Sequence, residues 1–315
     1  MGNSPHSKLD NELVVLIGGN GFVGRHLAQD LLQRGARLRV AARNPHKAMA
    51  LKPLANLGQL QFMPCNANSA DSIRAAVQGA HAVVWLVGTF GKGQQQLHAE
   101  GARIAAEAAK AGGAEAFVYL SSLSADPASD GTYASTKALG EQLVTEAFPQ
   151  ATILRPSVIF GADDQFVQMF AGLVSMMPAL PVFGPEAKLQ PVWVNDVAAA
   201  AANALEDPAS HGGKTYELAG PDVVTMMELH RAIAAAQGRR RLLVPVPDAG
   251  SALFAALPGT PMSSDQWAML KAGNVATGTL PGIDKLGVTP RPLSLFLDKW
   301  MVRFRKHGRF TVQKV

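Results

Sequence analysis

Through the first 160 residues, short apolar runs alternate with Ala-rich stretches of helical period. Leu13–Ile17, Leu38–Ala42, Leu60–Pro64, Ala82–Val87, Ala116–Leu120 and Ala151–Phe160 read as six strands. They are continuously apolar rather than alternating, which predicts strands buried on both faces of a parallel sheet. Helical patterns follow the first strand as far as Gly35 and recur over Asp71–Val77, Gln94–Ala111 and Ser135–Ala147. Strand and helix in regular succession predict an α/β fold built on a doubly wound parallel sheet. After Gly161 the rhythm gives way to Pro-rich loops and helices, with short strands expected at Gln190–Val194 and Thr215–Leu218. This predicts a small C-terminal α+β cap. The expected organisation is a sheet domain over 10–160, a cap over 161–290 interleaved with the end of the sheet, and a basic amphipathic helix and tail over 291–315.

Between the first strand and its helix lies Gly18-Gly19-Asn20-Gly21-Phe22-Val23-Gly24. Glycines at 18, 21 and 24 allow a tight turn, close approach of backbone to a pyrophosphate, and close helix–strand packing, while the helix N-terminus offers free N–H groups to the anion. The expected domain is therefore Rossmann-type and the expected ligand a nicotinamide dinucleotide, with all seven residues as contacts. At the end of the second strand an acid would select NAD(H) through its ribose hydroxyls. Here the chain reads Ala41-Ala42-Arg43-Asn44-Pro45. Arg43 in that place favours NADP(H) over NAD(H).

Tyr133 and Lys137 are four residues apart and share a helical face. A tyrosine hydroxyl is a poor base at neutral pH, and a neighbouring ammonium is expected to lower its pKa. Ser121 and Ser122, leaving the fifth strand, offer hydroxyls for a substrate oxygen. Together these groups could move a proton while hydride passes to or from nicotinamide.

GGNGFVG, the segment Tyr133–Glu141 with its Tyr/Lys pair, Thr152-Ile-Leu-Arg-Pro-Ser157, Gln190–Ala198 and Tyr216–Pro221 resemble the short-chain dehydrogenase/reductase superfamily in its extended or atypical branch. Within it, the chain is most similar to the NADPH-binding accessory subunit family of respiratory complex I and its bacterial relatives. The likeness runs from about Val14 to Arg305. It implies that Gly18, Gly21 and Gly24 hold pyrophosphate, Arg43 the 2′-phosphate and Asn66 the adenine. Tyr133 and Lys137 would grip the nicotinamide ribose and Pro156 and Ser157 would border the ring; Val87, Gly88 and Ser121 complete the cofactor contacts. The resemblance also implies two functions: an accessory subunit whose NADP(H) is structural, or a working oxidoreductase, epimerase or dehydratase acting on a small carbonyl, alcohol or nucleotide sugar. In the second, Tyr133 is the acid/base, Lys137 its electrostatic partner and Ser122 the substrate-oxygen donor. Many accessory-type relatives depart from the serine at 122, and the interval from Ser122 to Tyr133 is shorter than in sugar-nucleotide epimerases.

Composition narrows the partners. Of 315 residues, 48% are hydrophobic and 17% charged, which excludes a mostly disordered chain. No apolar run is long enough for a membrane-spanning helix. The net charge of +5 is concentrated at the C-terminal end, where residues 291–315 carry seven Lys/Arg and one acid. The remainder is close to neutral, so no nucleic-acid surface is expected. Eight scattered histidines and the lone Cys65 offer no metal-ligand spacing. Gly2 is followed by His6 where a myristoylation signal needs Ser or Thr, and no secretory pattern is present, so the chain reads as cytoplasmic. Leu293, Phe296, Leu297, Trp300, Met301 and Phe304 form one helical stripe ending in Arg303, Arg305 and Lys306. That stripe either docks on the chain's own core or, through residues 293–309, rests on a membrane-bound respiratory complex or on anionic lipid at the inner face of a membrane. Arg239–Arg241 read as a solvated cluster, Met176, Met177, Met226 and Met227 as cap packing, Asp196 as a loop or helix-cap residue, and Cys65 as a buried apolar group.

Overall fold

The computed structural model describes residues 7–257, 260 and 262–310; Gly2, His6 and the last five residues of the basic tail lie outside them. The chain divides into two compact units that alternate along the sequence. The first unit opens with β1 (Leu13–Ile17), α1 (Phe22–Gln33), β2 (Arg37–Ala42), β3 (Leu60–Pro64), α2 (Ala70–Val77), β4 (Ala82–Trp85), α3 (Gly101–Ala111), β5 (Ala116–Leu120), α4 (Thr132–Ala147) and β6 (Thr152–Pro156). The second begins with β7 (Ile159–Phe160), α5 (Phe166–Met176), β8 (Ala179–Phe183), β9 (Lys188–Leu189) and β10 (Val192–Trp193). The first resumes with α6 (Val194–Glu206), α7 (Pro208–His211) and β11 (Thr215–Leu218), then the second with β12 (Val224–Thr225), α8 (Met226–Ala236), β13 (Leu242–Val246), α9 (Asp248–Ala256) and α10 (Ser264–Ala272). Residues 277–289 return to the first unit, and α11 (Ser294–Met301) belongs to the second.

The first unit is a seven-stranded parallel sheet in the order β11-β6-β5-β4-β1-β2-β3. Its centre follows from the continuous apolar runs. Val15, Ile17, Val83, Trp85, Phe117 and Tyr119 point to one face, where Ile73, Ala102, Ala105, Ala106 and Val144 of α2, α3 and α4 cover them. The alternate residues Val14, Leu16, Val84 and Val118 are equally buried on the opposite face, because successive side chains of a strand point opposite ways. There α1 packs on α6. Small alanines let the helices lie close to the sheet.

Two expected elements are broken in the structure. The long sixth run ends at Pro156, and Ile159–Phe160 forms a separate strand pairing with β10 in the second unit. The helix expected over Gln94–Ala111 is interrupted by a wide π turn at Gln96–Glu100. A π turn shifts the backbone register and leaves carbonyls for other donors. Trp85 Nε1 donates to Leu97 O at 3.2 Å and Tyr119 Oη to His98 O at 2.8 Å. Both aromatic side chains are fully buried, so these bonds satisfy groups that water cannot reach.

In the second unit, β8 pairs with β13 in parallel and β9 with β12 antiparallel. Phe160, Val167, Ala171, Leu180, Val182, Leu229 and Ile233 make its core. The terminal stripe joins this core: Leu293, Leu297 and Met301 are buried, and Phe296, Trp300 and Phe304 pack against them. Arg239 and Arg241, expected in solvent, instead donate to Phe304 O and Val174 O, and Arg305 donates to Ala236 O. These cations serve carbonyls left over at helix ends. Met226 and Met227 are core residues, whereas Met176 is largely exposed. No helix among the described residues is long and apolar enough to cross a membrane.

A Cβ at Gly140 would lie 2.3 Å from Tyr119 Oη and 2.4 Å from His98 O, whereas one at Gly172 meets nothing within 4 Å. Gly140→Ala is therefore expected to destabilise the protein by about 1–3 kcal/mol or more through overpacking. Gly172→Ala is expected to stabilise it by ~0.5–1 kcal/mol through helix propensity. Urea denaturation of both variants checks the opposite signs.

Candidate functional site

The glycine loop is built by close approach. Gly18 adopts φ +84° and its N–H donates to Ala41 O at 2.8 Å, anchoring the turn to the end of β2. A Cβ at Gly24 would lie 2.6 Å from Gly19 Cα, and one at Gly19 would lie 2.7 Å from Leu16 Cβ. Any larger residue would push α1 off the sheet. The helix starts at Phe22 with no side-chain cap and no acid in its first turn. Its leading N–H groups, around Phe22, Val23 and Gly24, are thus open to an anion. Asn20 Nδ2 donates to Asn44 O at 2.8 Å, tying the loop tip to the segment after β2.

Beyond the ends of β2 and β3 lies a cleft of about 490 Å³ lined by Arg43, Pro64, Cys65, Asn66, Asn68 and Ser72. Arg43 and Asn66 are thus brought together on one wall. Asn66 Oδ1 accepts from Asn68 N at 3.1 Å and Asn66 N donates to Ser72 Oγ at 2.9 Å. The turn is therefore held rigid while the Asn66 amide nitrogen stays available. Asn68 and Ser72 are lining residues that no sequence motif marks. Cys65 is buried, and burial pushes its thiol up, which suits packing rather than nucleophilic chemistry.

The tyrosine centre is assembled from β4, β5 and α4. Val87 packs against the glycine loop, with its N and Cγ2 at 3.2 Å from where a Cβ on Gly18 would stand. Gly88 faces Lys137 Nζ, 3.7 Å from the position of a Cβ there. Lys137 is buried and donates from Nζ to Leu120 O at 2.8 Å. Burial lowers its pKa to about 7, partly countered by the Glu141 carboxylate. Tyr133 is half-buried and hydrogen-bonds with Ser122. Burial pushes its phenol up to about 12, against the pull of that hydrogen bond. The lowering expected from the adjacent lysine is thus reversed, because desolvation outweighs what the neighbours supply.

The two serines separate. Ser122 reaches Tyr133 and also shares a hydrogen bond of 2.8 Å with Ser124 Oγ. Ser121 donates to Glu141 Oε1 at 2.5 Å, and Glu141 in turn takes a bidentate pair of bonds from Arg155 at 2.8 and 2.6 Å. Pro156 ends β6, its carbonyl accepting from Leu123 N at 3.0 Å. Ser157 begins the second unit and donates its hydroxyl to Asn274.

Three residues around Tyr133 went unread in the sequence. The Phe90 ring stacks on the Tyr133 ring at 4.3 Å, and His98 meets that ring edge-on at 5.2 Å. Thr89 N–H donates to His98 Nε2 at 3.0 Å, so the imidazole carries its hydrogen on Nδ1, 2.9 Å from Thr136 Oγ1. Thr136 passes its own hydrogen to Thr132 O at 2.6 Å. His98 is wholly buried, and burial with the nearby Lys137 charge lowers its pKa to about 3. The available signal was positional: His98 lies in the turn that packs on α4, but neither it nor Thr136 is a motif's defining residue. Among the described residues no group of three His, Cys, Asp or Glu could hold a metal.

The residues present fit a dinucleotide: a loop that excludes side chains, an open helix N-terminus, and one cation in a polar cleft at the sheet's carboxyl edge. Comparison with known proteins agrees. Residues 18–208 match the family model described as NAD(P)H-binding. NADH dehydrogenase (ubiquinone) 1 alpha subcomplex subunit 9, mitochondrial, of Mus musculus is 32% identical, covering 93% of this chain and 81% of its own. A ceramide reductase of Caulobacter vibrioides is 30% identical over 76% of this chain and 74% of its own. Among solved structures, the UDP-glucose 4-epimerase of Thermus thermophilus shares the fold at a TM-score of 0.68 and 18% identity, covering 94% of this chain and 99% of that one.

His98 supplies a pH test. Between pH 6.5 and about 3 the unfolded chain binds a proton at this imidazole that the folded chain does not. Stability is therefore lost as pH falls through that window, by up to ~1.4 kcal/mol per pH unit for one proton. Denaturation of wild type and His98→Gln between pH 6 and 4 should show a shallower acid slope in the variant.

Proposed function

The chain belongs to the NAD(P)H-binding family of short-chain dehydrogenase-like proteins, and from that premise we propose that it holds NADP(H) as an accessory subunit of a membrane-bound respiratory complex. The observation that carries the NADP(H) preference is Arg43, the charged residue among the six that line the cleft beyond β2 and β3. A guanidinium there matches a 2′-phosphate by charge-assisted, bidentate bonding. The loop from Gly18 to Gly24 takes the pyrophosphate on backbone N–H groups, and the Asn66 amide takes the adenine. Tyr133 and Lys137 hold the nicotinamide ribose, with Val87, Gly88, Ser121, Pro156 and Ser157 bordering that half of the cofactor. The accessory role is supported by similarity to the mouse subunit over most of both chains and by the Phe90 ring lying on Tyr133.

The partner surface is assigned to the C-terminal segment. Its apolar stripe is spent on the second unit's core, but Leu295, Lys299, Arg303, Lys306, Arg309 and Phe310 remain exposed. Cations with two apolar side chains suit a protein partner at a membrane surface or its anionic lipid, which would place the chain peripherally on the inner face of that membrane.

A second reading, a working reductase, rests on the hydrogen bond between Ser122 and Tyr133. When bound, NADPH supplies a hydride. A phenol held near 12 is protonated at neutral pH, so Tyr133 would serve as the acid that delivers a proton to a substrate oxygen held by Ser122. This orientation favours carbonyl reduction, in keeping with the Caulobacter relative named as a reductase. Epimerase or dehydratase chemistry on a nucleotide sugar would use Tyr133 and Ser122 together with Lys137.

Mass spectrometry of the material released on denaturing the purified protein should find NADP(H). Arg43→Ala should narrow the preference for NADP⁺ over NAD⁺ by about tenfold or more, the scale of one charged hydrogen bond. Fluorescence titration of both dinucleotides measures it, and release of NAD(H) from wild type would sink the NADP(H) assignment. Bound NADPH that survives prolonged incubation with small carbonyl compounds supports the accessory role; its oxidation supports the reductase.

A further inference from the structure

We propose that the outward face of the two-stranded β8–β13 sheet, with Met176 beside it, seats the second unit on the surface of an anionic lipid bilayer. This deepens the peripheral placement proposed above and rests on it.

That sheet is apolar on the side turned away from its core. β8 and β13 pair in register, Ala179 with Leu242 and Pro181 with Val244, and all four residues are exposed. The alternate residues Leu180, Val182 and Leu243 turn inward to the second unit's core. Leu242 is 66% exposed, Val244 44%, and Met176, which closes α5 just before β8, 74%. Apolar side chains gathered in this way, rather than scattered, mark a surface that meets another apolar phase. The strand edges do not suit a partner strand. Pro181 and Pro245 lack the N–H that a third strand would need, and proline sits in a sheet where its missing donor points away from the existing neighbour. The face, not the edge, is what the sheet offers.

Charge identifies the occupant. Residues 165–185, which include α5 and β8, contain no charged side chain, and residues 239–247 contain three arginines and no acid. Arg241 donates to Val174 O at 2.7 Å and to Ser175 O at 3.3 Å, which fixes a guanidinium beside Met176. Arg240 is exposed, two residues before Leu242. Arg239 donates to Phe304 O and Arg305 to Ala236 O. The tail, with its exposed Arg303 and Lys306, is thereby tied to the end of α8, from which β13 leaves. An apolar face bordered by cations, on segments that carry no acid, is complementary to an anionic bilayer. Leu242 and Val244 would reach the boundary of headgroups and acyl chains while the guanidiniums bind phosphates. A second copy of the chain on this face would set arginine against arginine, a repulsion that opposes pairing.

The test is co-sedimentation of the full purified chain with phosphatidylglycerol–phosphatidylcholine vesicles, and with phosphatidylcholine vesicles as the neutral control. Dinucleotide content is measured on the same sample, and circular dichroism checks that each variant is folded. Wild type should bind the anionic vesicles and come off them at high salt. Arg240→Gln should weaken binding about fivefold, the scale of one cation at a lipid surface. Leu242→Ser with Val244→Ser should weaken it about tenfold or more through lost apolar burial. Leu57→Ser, at an exposed apolar residue of the first unit, should leave binding unchanged. Val244→Trp should tighten binding several-fold, because indole favours the interface; this gain keeps the test open if the serine variant unfolds. No binding by wild type, equal binding to neutral vesicles, or binding unchanged in the Arg240 and Leu242/Val244 variants would overturn the proposal. So would a wild type that is dimeric without lipid and becomes monomeric in the serine variant, which would give the face to a second copy. A chain that binds anionic vesicles but releases no NADP(H) would fault the cofactor reading and leave this surface standing. One that releases NADP(H) and ignores the vesicles would do the reverse.

Discussion

A buried hydroxyl holds the Tyr133 end of the first unit together. Tyr119 Oη, on β5, donates to the carbonyl of His98 in the π turn, and Gly140 of α4 leaves the space in which the two meet. Strand, turn and helix are therefore fixed at one point, and each carries part of the tyrosine centre. From β5 come the Leu120 carbonyl that takes the Lys137 ammonium and the serines that follow it. From the turn comes His98, whose ring edge limits Tyr133. From α4 come Tyr133, Thr136 and Lys137 themselves. The fully buried bond is protected from competition by water, which is why it can set the spacing of three elements.

Charge is distributed around this point with little freedom. Glu141 takes Arg155 bidentately and Ser121 as well, and it also holds the Lys137 pKa from falling further. Glu217, opposite Arg155 across the β6–β11 pair, accepts from Thr277 and Gly278. A buried carboxylate left without its arginine would be costly, so this pair acts as a constraint on geometry more than as a source of stability. The result is a site where burial, not neighbouring charge, dominates the titration of both Tyr133 and Lys137.

That balance marks the border of what the amino-acid sequence discloses. The parallel strands were legible because burial on both faces leaves continuous apolar runs, and the glycine loop because its spacing has a steric cause. The over-long sixth strand arose because Ser157 and Val158, after Pro156, suit extended structure as well as strand. The π turn was invisible because the pattern of Leu97, Ala99 and Ala102 is compatible with an unbroken helix. Phe90 sits among Gly88, Gly91 and Gly93, where a lone aromatic belongs to no motif, and His98 resembles any scattered histidine. A lysine four residues from a tyrosine can be counted in the sequence; the desolvation that reverses its effect depends on how deeply both are packed. Likewise the terminal stripe was plain, but only the folded second unit shows that its own core receives it.

The interleaving of the two units bears on how the protein is made. The outermost strand β11 pairs with β6, yet Pro156 and Thr215 are separated by the whole opening part of the second unit and by α6 and α7. On the ribosome, β6 must wait for about sixty further residues before its neighbour exists, roughly 3–12 s at ordinary elongation rates. For that interval the nascent sheet presents an apolar parallel edge with unpaired backbone groups, the surface on which chains stick to one another. During synthesis the chain thus passes through a stage with an open β6 edge that the finished sheet does not have, and the arrival of β11 closes it.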